Sequence, residues 1–379
     1  MRPIKVLFPF VGDSVGGSHW SILVLYKILD KSSNIDPVFV LHSIGPLSNF
    51  FDTHNIPYQI LPIKSLAGEK SGTLSIFLLI LRNFYSIYRF IYTNNIDIVH
   101  GNDLRINLSW SPPAFFSSSK YVWHQRQIFS KSKKWYLIKY LTDHLITISY
   151  FVHKTTPHNI KKEFKSCINN PFNVTNLYEK KQSRAKVNSI YNIADSDVLV
   201  GYVGRLVSWK HVEDILYVLS SIIASSSADN IHLLIVGTGD SKYVENIVSI
   251  IDSENLTQYV TMTGFTDNPS FLLSSLDLLI ASSHNEPFGR VLVESMLQKT
   301  LVLSSNSGGH KEIISDGVDG FLYDKDSSKS MHDSILKILF GDVNKQMIVE
   351  AAYQKSVESY SAFEHAKKVS DLYTSLIKS

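Results

Sequence analysis

The sequence predicts an α/β protein of two domains, each built on a parallel sheet with helices on both faces. Three observations carry this reading. The chain has 379 residues, too many for one ordinary core. Short β-branched runs alternate with longer helical patterns along most of its length. A polar, poorly periodic stretch at 173–195 interrupts the alternation, which then restarts.

In the first half, strands are predicted at 5–9, 37–41, 58–61, 97–100, 121–123 and 144–148, with helices such as 18–29 and 73–92 between them. In the second half, strands are predicted at 198–203, 231–236, 260–263, 276–281 and 300–304. A closing helix over 361–376 carries Phe363, Val369, Leu372, Tyr373 and Leu376 at mostly helical spacing. The predicted domains are 1–175, with the helix at 360–379 returning to it, and 176–359.

Hydrophobic residues at 44% and charged residues at 19% supply two cores and exclude a disordered chain. A net charge of +3 is too small and diffuse to point to nucleic acid. Cys167 is the only cysteine, which excludes an intrachain disulfide and fits a reducing, cytoplasmic compartment. The first apolar run reads as a strand rather than a signal peptide. The most apolar segment, 74–92, is cut by Arg82, Asn83 and Arg89. A membrane span needs about 20 nearly uninterrupted apolar residues, so this segment reads as a helix packed on the core.

Ligands of open parallel sheets bind beyond the carboxyl ends of the strands, so the chemistry is sought in the turns there. After 198–203 comes Gly204-Arg205-Leu206-Val207-Ser208-Trp209-Lys210. Its glycine permits close backbone approach, and Arg205 and Lys210 can converge on one anion; two solvated surface cations fit the pattern equally well. After 276–281 comes Ser282-Ser283-His284-Asn285-Glu286-Pro287-Phe288-Gly289, leading into a helix that carries Glu294. The amides of Phe288 and Gly289 lie near that helix start, suited to an anion or a sugar hydroxyl, and two acids flanking the turn can each grip a diol. An N-capping acid and an exposed helical acid would explain either glutamate singly, but not the two together with Pro-Phe-Gly. Ser307-Gly308-Gly309-His310 follows another strand and resembles a backbone nest.

In the first half, Gly12-Asp13-Ser14-Val15-Gly16-Gly17 follows the first strand, and Gly237-Thr238-Gly239-Asp240 follows a later one. Neither completes Gly-x-Gly-x-x-Gly, which argues against a nicotinamide or flavin enzyme. No histidine spacing marks a metal site, so no metal and no cofactor are expected. His100 and His124 both close strands, and His124 is the one favoured for a functional role.

Together these residues resemble the retaining, GT-B-fold family of nucleotide-sugar glycosyltransferases, which carries a paired-glutamate motif like Glu286-Pro287-Phe288-Gly289 with Glu294. The resemblance is most specific there, in Gly204-Arg205 with Lys210, and in Gly308-Gly309 with Glu312. It implies GT-B architecture, two Rossmann-like domains facing across a cleft. It implies that Arg205 and Lys210 hold the leaving diphosphate, and that Glu286 and the amides of Phe288 and Gly289 hold the donor hexose. It further implies that Glu294 binds the ribose diol, that Gly16 and Gly17 form a loop closing over the donor, and that His124 faces the reacting sugar. His211, where the family often has glycine, and His310-Lys311 before Glu312 depart from the pattern, as does Asn170-Pro171.

The implied activity is metal-free transfer of a hexose from a nucleotide-sugar to a saccharide acceptor, lipid-linked in the building of a cell-surface polysaccharide or glycolipid. The alternatives are a sugar-nucleotide epimerase, a phosphorylase or a non-catalytic sugar-nucleotide-binding protein. Between Lys120 and Lys165 ten cations face only Asp143 and Glu163, interleaved with Trp135, Tyr136, Leu137, Ile138, Tyr140 and Leu141. This stretch suggests a peripheral contact with the anionic inner face of a membrane through Lys131, Lys133 and Lys134; a solvated face with a few core aromatics is the other reading.

Overall fold

Runs such as Ile231–Val236 and Leu278–Ala281 are buried at every position, as strands of a sheet covered on both faces must be. The computed structural model describes residues 2–29, 34–64, 73–130, 135–136, 138–175, 177–225 and 230–378. The chain divides into two units, Met1–Pro171 with Ala362–Ser379, and Phe172–Ser361. The sequence reading put the divisions at 175/176 and 359/360.

The first unit holds a seven-stranded sheet: β1 (Ile4–Phe10), β2 (Ile35–Leu41), β3 (Gln59–Ile60), β4 (Ile98–Gly101), β5 (Lys120–Gln125), β6 (His144–Thr147) and β7 (Lys165–Cys167). Its spatial order is β3-β2-β1-β4-β5-β6-β7, with every pairing parallel. Alternate residues feed opposite faces. Val6, Phe8 and Phe10 join Ile22, Leu25 and Leu29 of helix Gly17–Leu29 and Val369 and Tyr373 of the closing helix Ala362–Lys378. Leu7, Val99, Tyr121 and Trp123 join Ile87 and Ile91 of helix Thr73–Thr93 and Ile106 and Trp110 of helix Leu104–Phe115.

The second unit holds β8 (Val198–Val203), β9 (Ile231–Val236), β10 (Val260–Gly264), β11 (Leu278–Ala281), β12 (Leu301–Ser305) and β13 (Phe321–Tyr323). Their order is β10-β9-β8-β11-β12-β13, again all parallel. Both sheets reverse direction of growth beside their first strand, at β1/β4 and at β8/β11. Such a reversal opens the crevice where ligands of doubly wound sheets bind.

Two expectations need correction. The stretch at 173–195 is not merely a connector: it contains helix Lys180–Tyr191, capped by Glu179. Its low hydrophobicity hid it, and it is anchored through Arg184, paired with Asp277 and donating to the Ser275 carbonyl at 2.8 Å. Half-polar β7 was not expected either. Helix Thr73–Thr93 packs on the core only through one side, including Ile87 and Ile91; Phe77, Leu78, Leu81, Tyr85 and Tyr92 face solvent. In the basic stretch, Trp135 and Ile138 are buried in the core, whereas Tyr136 and Tyr140 are exposed. Lys131, Lys133, Lys134 and Leu137 lie outside the described residues. No described helix is long and apolar enough to cross a membrane.

Candidate active site

Beside the β8/β11 reversal, the turn after β8 is held against the turn after β9 by close backbone contacts. A Cβ on Gly237 would lie 1.9 Å from the Gly204 carbonyl oxygen, and one on Gly239 would lie 1.9 Å from that of Leu206. The Leu206 and Asp240 amides complete the join, donating to Thr238 and Leu206 carbonyls at 3.0 Å each. The Gly-x-Gly turn therefore serves loop packing. Beyond it, Ser208–Lys210 forms one 3₁₀ turn, and Ser282 Oγ donates to the Lys210 carbonyl at 2.8 Å. Lys210 Nζ then meets Glu286 Oε2 at 2.7 Å, with each side chain only 15% exposed. Burial pushes the Glu286 carboxyl up; the charge and hydrogen bond of Lys210, with His310 and a Ser283 hydrogen bond, together outweigh this and leave it below its ordinary value. Two of the residues named from sequence are thus one ion pair.

The nest expected from Gly308-Gly309 is not what these glycines form. The Gly309 amide donates to the Glu286 carbonyl at 2.7 Å, so it is not offered to a ligand. A Cβ on Gly308 would stand 2.5 Å from the Glu286 carbonyl oxygen, and one on Gly309 would stand 2.6 Å from that of Phe288. The glycines let this loop press against the glutamate turn. Behind it lies His310, buried, its Nδ1 3.3 Å from Ser305 Oγ. Burial lowers its pKa to about 4, against the pull of Glu286, so the ring is neutral. Sequence reading saw His310 only as a departure from a family pattern. Its place against Glu286 required the fold.

Phe288 is an apolar anchor, buried against Phe172 and Tyr360 with ring centroids 6.1 and 5.8 Å away. Gly289, in the left-handed region at φ +105, starts helix Arg290–Leu297. Among the described residues the N–H groups of Phe288 and Gly289 donate to nothing. Glu294, one turn along, receives Arg290 at 3.0 Å, and that guanidinium lies 4.4 Å over the Phe172 ring. Arg290 was not singled out from sequence, although Pro-Phe-Gly-Arg contains it. Arg205 is exposed and has no ion pair among the described residues.

His211, left-handed at φ 52, stacks on His284 with centroids 3.9 Å apart and 22° between planes; Asp214 Oδ2 lies 3.8 Å from His211 Nδ1. One ligating atom from each of the three falls within 4.8 Å of the others. This grouping was invisible in the spacing. Imidazole lone pairs lie in the ring plane, and near-parallel planes aim them side by side rather than at one ion. As folded, the trio is a stacked pair beside a carboxylate.

In the first unit, Gly16 is exposed; its amide donates to His19 Nδ1 at 3.0 Å, and Gly17 opens helix Gly17–Leu29. His124 is the penultimate residue of β5 and is fully buried. His100 Nε2 is 3.1 Å from His124 Nδ1, and His100 Nδ1 is 2.5 Å from the Tyr373 hydroxyl. Burial, with Arg126 adding to it, holds both imidazoles well below their ordinary pKa, hence neutral with one proton each. The Tyr373 hydroxyl has no other partner among the described residues, so it donates to His100. His100 then donates through Nε2 to His124 Nδ1, which leaves the His124 proton on Nε2. That nitrogen is buried without a partner among the described residues. Sequence reading ranked His100 below His124; the fold makes them one chain.

A sheet reversal, a buried Lys–Glu pair and two backbone amides with no acceptor among the described residues come together in the Rossmann-like second unit. Residues 183–355 match the family model "Glycosyl transferases group 1". The chain is similar to a poly(ribitol-phosphate) alpha-N-acetylglucosaminyltransferase of Staphylococcus aureus, 25% identical over 54% of this chain and 41% of that one. It is likewise similar to the capsular polysaccharide biosynthesis glycosyltransferase CapM of Staphylococcus aureus, 23% identical over 62% of each. These matches span 41% to 62% of the relatives' own lengths. Among solved structures, Anabaena HepE in complex with UDP-glucose shares the fold, with TM-score 0.83 and 19% identity over 98% of this chain and all of that one. The fold is GT-B, two Rossmann-like domains.

Two predictions test this geometry. Lys210→Met leaves a buried carboxylate unpaired and lowers unfolding stability by about 3 kcal/mol; Lys210→Met with Glu286→Gln recovers most of it, because no charge stays buried. Urea unfolding of the four-member cycle measures this, and additive losses would contradict it. In long-range ¹⁵N–¹H spectra His124 carries its proton on Nε2, and Tyr373→Phe shifts population to Nδ1; an Nδ1 proton in the unaltered protein reverses the assigned direction.

Proposed function

We propose that this protein is a retaining glycosyltransferase that moves a hexose from a nucleotide-sugar to a saccharide acceptor. The acceptor is lipid-linked and the product a cell-surface polysaccharide or glycolipid, made on the cytoplasmic side of the membrane without nucleic acid. The observation that carries this reading is the Lys210–Glu286 pair beyond β8 and β11, within the matched domain. Support comes also from HepE, solved with UDP-glucose, and from CapM, named for capsular polysaccharide biosynthesis.

Cleaving the anomeric C–O bond puts positive charge on the sugar ring and negative charge on the departing diphosphate. Arg205, uncommitted and exposed, and Lys210, with ammonium hydrogens beyond the one given to Glu286, stabilise that diphosphate. Preorganised donors of this kind contribute roughly 3–4 kcal/mol each to the transition state. The Glu286 carboxylate accepts from the hexose hydroxyls, and the Phe288 and Gly289 amides donate to them. Glu294 takes the ribose diol. Gly16 and Gly17 belong to the loop that closes over the donor. His124 faces the reacting sugar. The acceptor oxygen attacks from the face the leaving group departs, forming the new C–O bond as the old one breaks. Its proton passes to the phosphate oxygen, and configuration is retained. The match to the glycosyltransferase family model and the transferase-named relatives support transfer over an epimerase or a silent binder.

Incubation with a panel of nucleotide-sugars is expected to release nucleoside diphosphate slowly, and Arg205→Ala to lower kcat about 100-fold. No release from any donor by folded protein would reject the transferase reading. Calorimetry separates the two acids: Glu294→Gln weakens free nucleoside diphosphate, whereas Glu286→Gln weakens only the intact donor. Equal losses for both ligands in both variants contradict the assignment. Turnover is expected to survive EDTA, since two cations face the diphosphate; activity lost to EDTA and restored by Mg²⁺ or Mn²⁺ would overturn the metal-free step.

A further inference from the structure

Helix Thr73–Thr93 has the composition of a buried helix, yet half its circumference meets solvent. At about 100° per residue, Phe77, Leu81, Tyr92, Tyr85 and Leu78 fall in one sector of about 100°, with exposures from 54% for Leu81 to 71% for Tyr92. Arg89 and Arg82, both exposed, come next around the helix. The inner sector holds Asn83, Ile87 and Ile91, buried in the first unit. From Phe77 to Tyr92 the outer stripe runs about 22 Å. It is widened by Phe116, 67% exposed and packed edge-on against Phe84 at 5.7 Å.

An outward helix face ordinarily carries polar residues, and contiguous apolar surface of this extent marks a partner. The charge on the helix says which partner. Its only charged residues are Arg82 and Arg89, and it carries no acid. A second copy pairing through this face would bring four arginines together with no carboxylate on either helix to receive them. An anionic lipid surface receives both kinds of group. Phenylalanine and leucine enter the acyl boundary, tyrosines lie at headgroup level, and the arginine stems reach back to the phosphates.

The geometry points to a membrane-docking surface formed by the outer face of helix Thr73–Thr93 with Phe116, lying flat on an anionic bilayer. This differs in its residues from the basic stretch at 120–165, and it is the surface that would bring a lipid-borne acceptor to the enzyme. That last link rests on the transferase reading; the docking surface does not.

The test is co-sedimentation of the full chain with phosphatidylcholine vesicles, with and without phosphatidylglycerol, without any nucleotide-sugar, so that its outcome is independent of catalysis. Binding is expected to anionic vesicles and to weaken with salt. The combined variant Phe77→Ser, Leu81→Ser, Tyr85→Ser is expected to bind about a hundredfold more weakly. Arg82→Ser with Arg89→Ser, which leaves the apolar stripe intact, is expected to lose about 20-fold on anionic vesicles alone. Circular dichroism checks that both variants are folded. Wild-type protein that ignores anionic vesicles at low salt overturns the proposal. So does binding that survives both variants but is lost when Lys131, Lys133 and Lys134 become Ser. A dimer in solution that the serine variant dissociates assigns the face to a second copy instead.

Discussion

The second unit is organised around a charge that cannot be left alone. Glu286 is carried into the crevice at the β8/β11 reversal with most of its side chain out of water, where an isolated carboxylate would be expensive or protonated. Lys210 resolves this, and the ammonium can reach only if the loops after two neighbouring strands are pinned. Ser282 on the Lys210 carbonyl, the Gly237 and Gly239 contacts and the Gly309 amide on the Glu286 carbonyl are those pins. Each glycine among them stands where a methyl group would overlap a carbonyl oxygen. Phe288 itself is taken into the core, and the Phe288 and Gly289 amides have no acceptor among the described residues.

The first unit solves a similar burial problem with no net charge. His100 and His124 sit near strand ends, where burial and the nearby Arg126 keep them neutral. Neutral imidazoles must agree on a direction for their single protons, and a hydroxyl at one end sets it. That hydroxyl belongs to Tyr373, in a helix 273 residues away in sequence from His100. The closing helix thereby does more than cover an apolar face: it determines which nitrogen of His124 carries hydrogen. A charged pair in one unit and a polarised neutral chain in the other follow from the same desolvation.

Helix Thr73–Thr93 shows how far composition can mislead. An almost uniformly apolar segment reads as packed on the core without showing which face is packed, because nothing local distinguishes a residue packed on a sheet from one left outside. The sheet has room for one face only. The other face is then a property of the surface, and its meaning lies in the arginines that border it and the acids it lacks.

The sequence by itself determined the α/β class, most strand positions and the turns that bear the site, because side-chain periodicity and strand-end glycines are local signals. Val198–Val203 and Ile231–Val236 were legible to the residue. So were Lys210, Glu286, Glu294 and His124 as residue types in suggestive positions. Tertiary structure alone decided their partners. Lys210 and Glu286 stand 76 residues apart in the chain, His100 and Tyr373 273, and no periodicity encodes which distant groups meet. It likewise decided that Gly308-Gly309 serves packing, that His310 stands behind the glutamate, and that polar helix Lys180–Tyr191 forms at all. Those outcomes depend on what the remainder of the chain brings within about 3 Å, a distance that strand order sets and residue spacing does not.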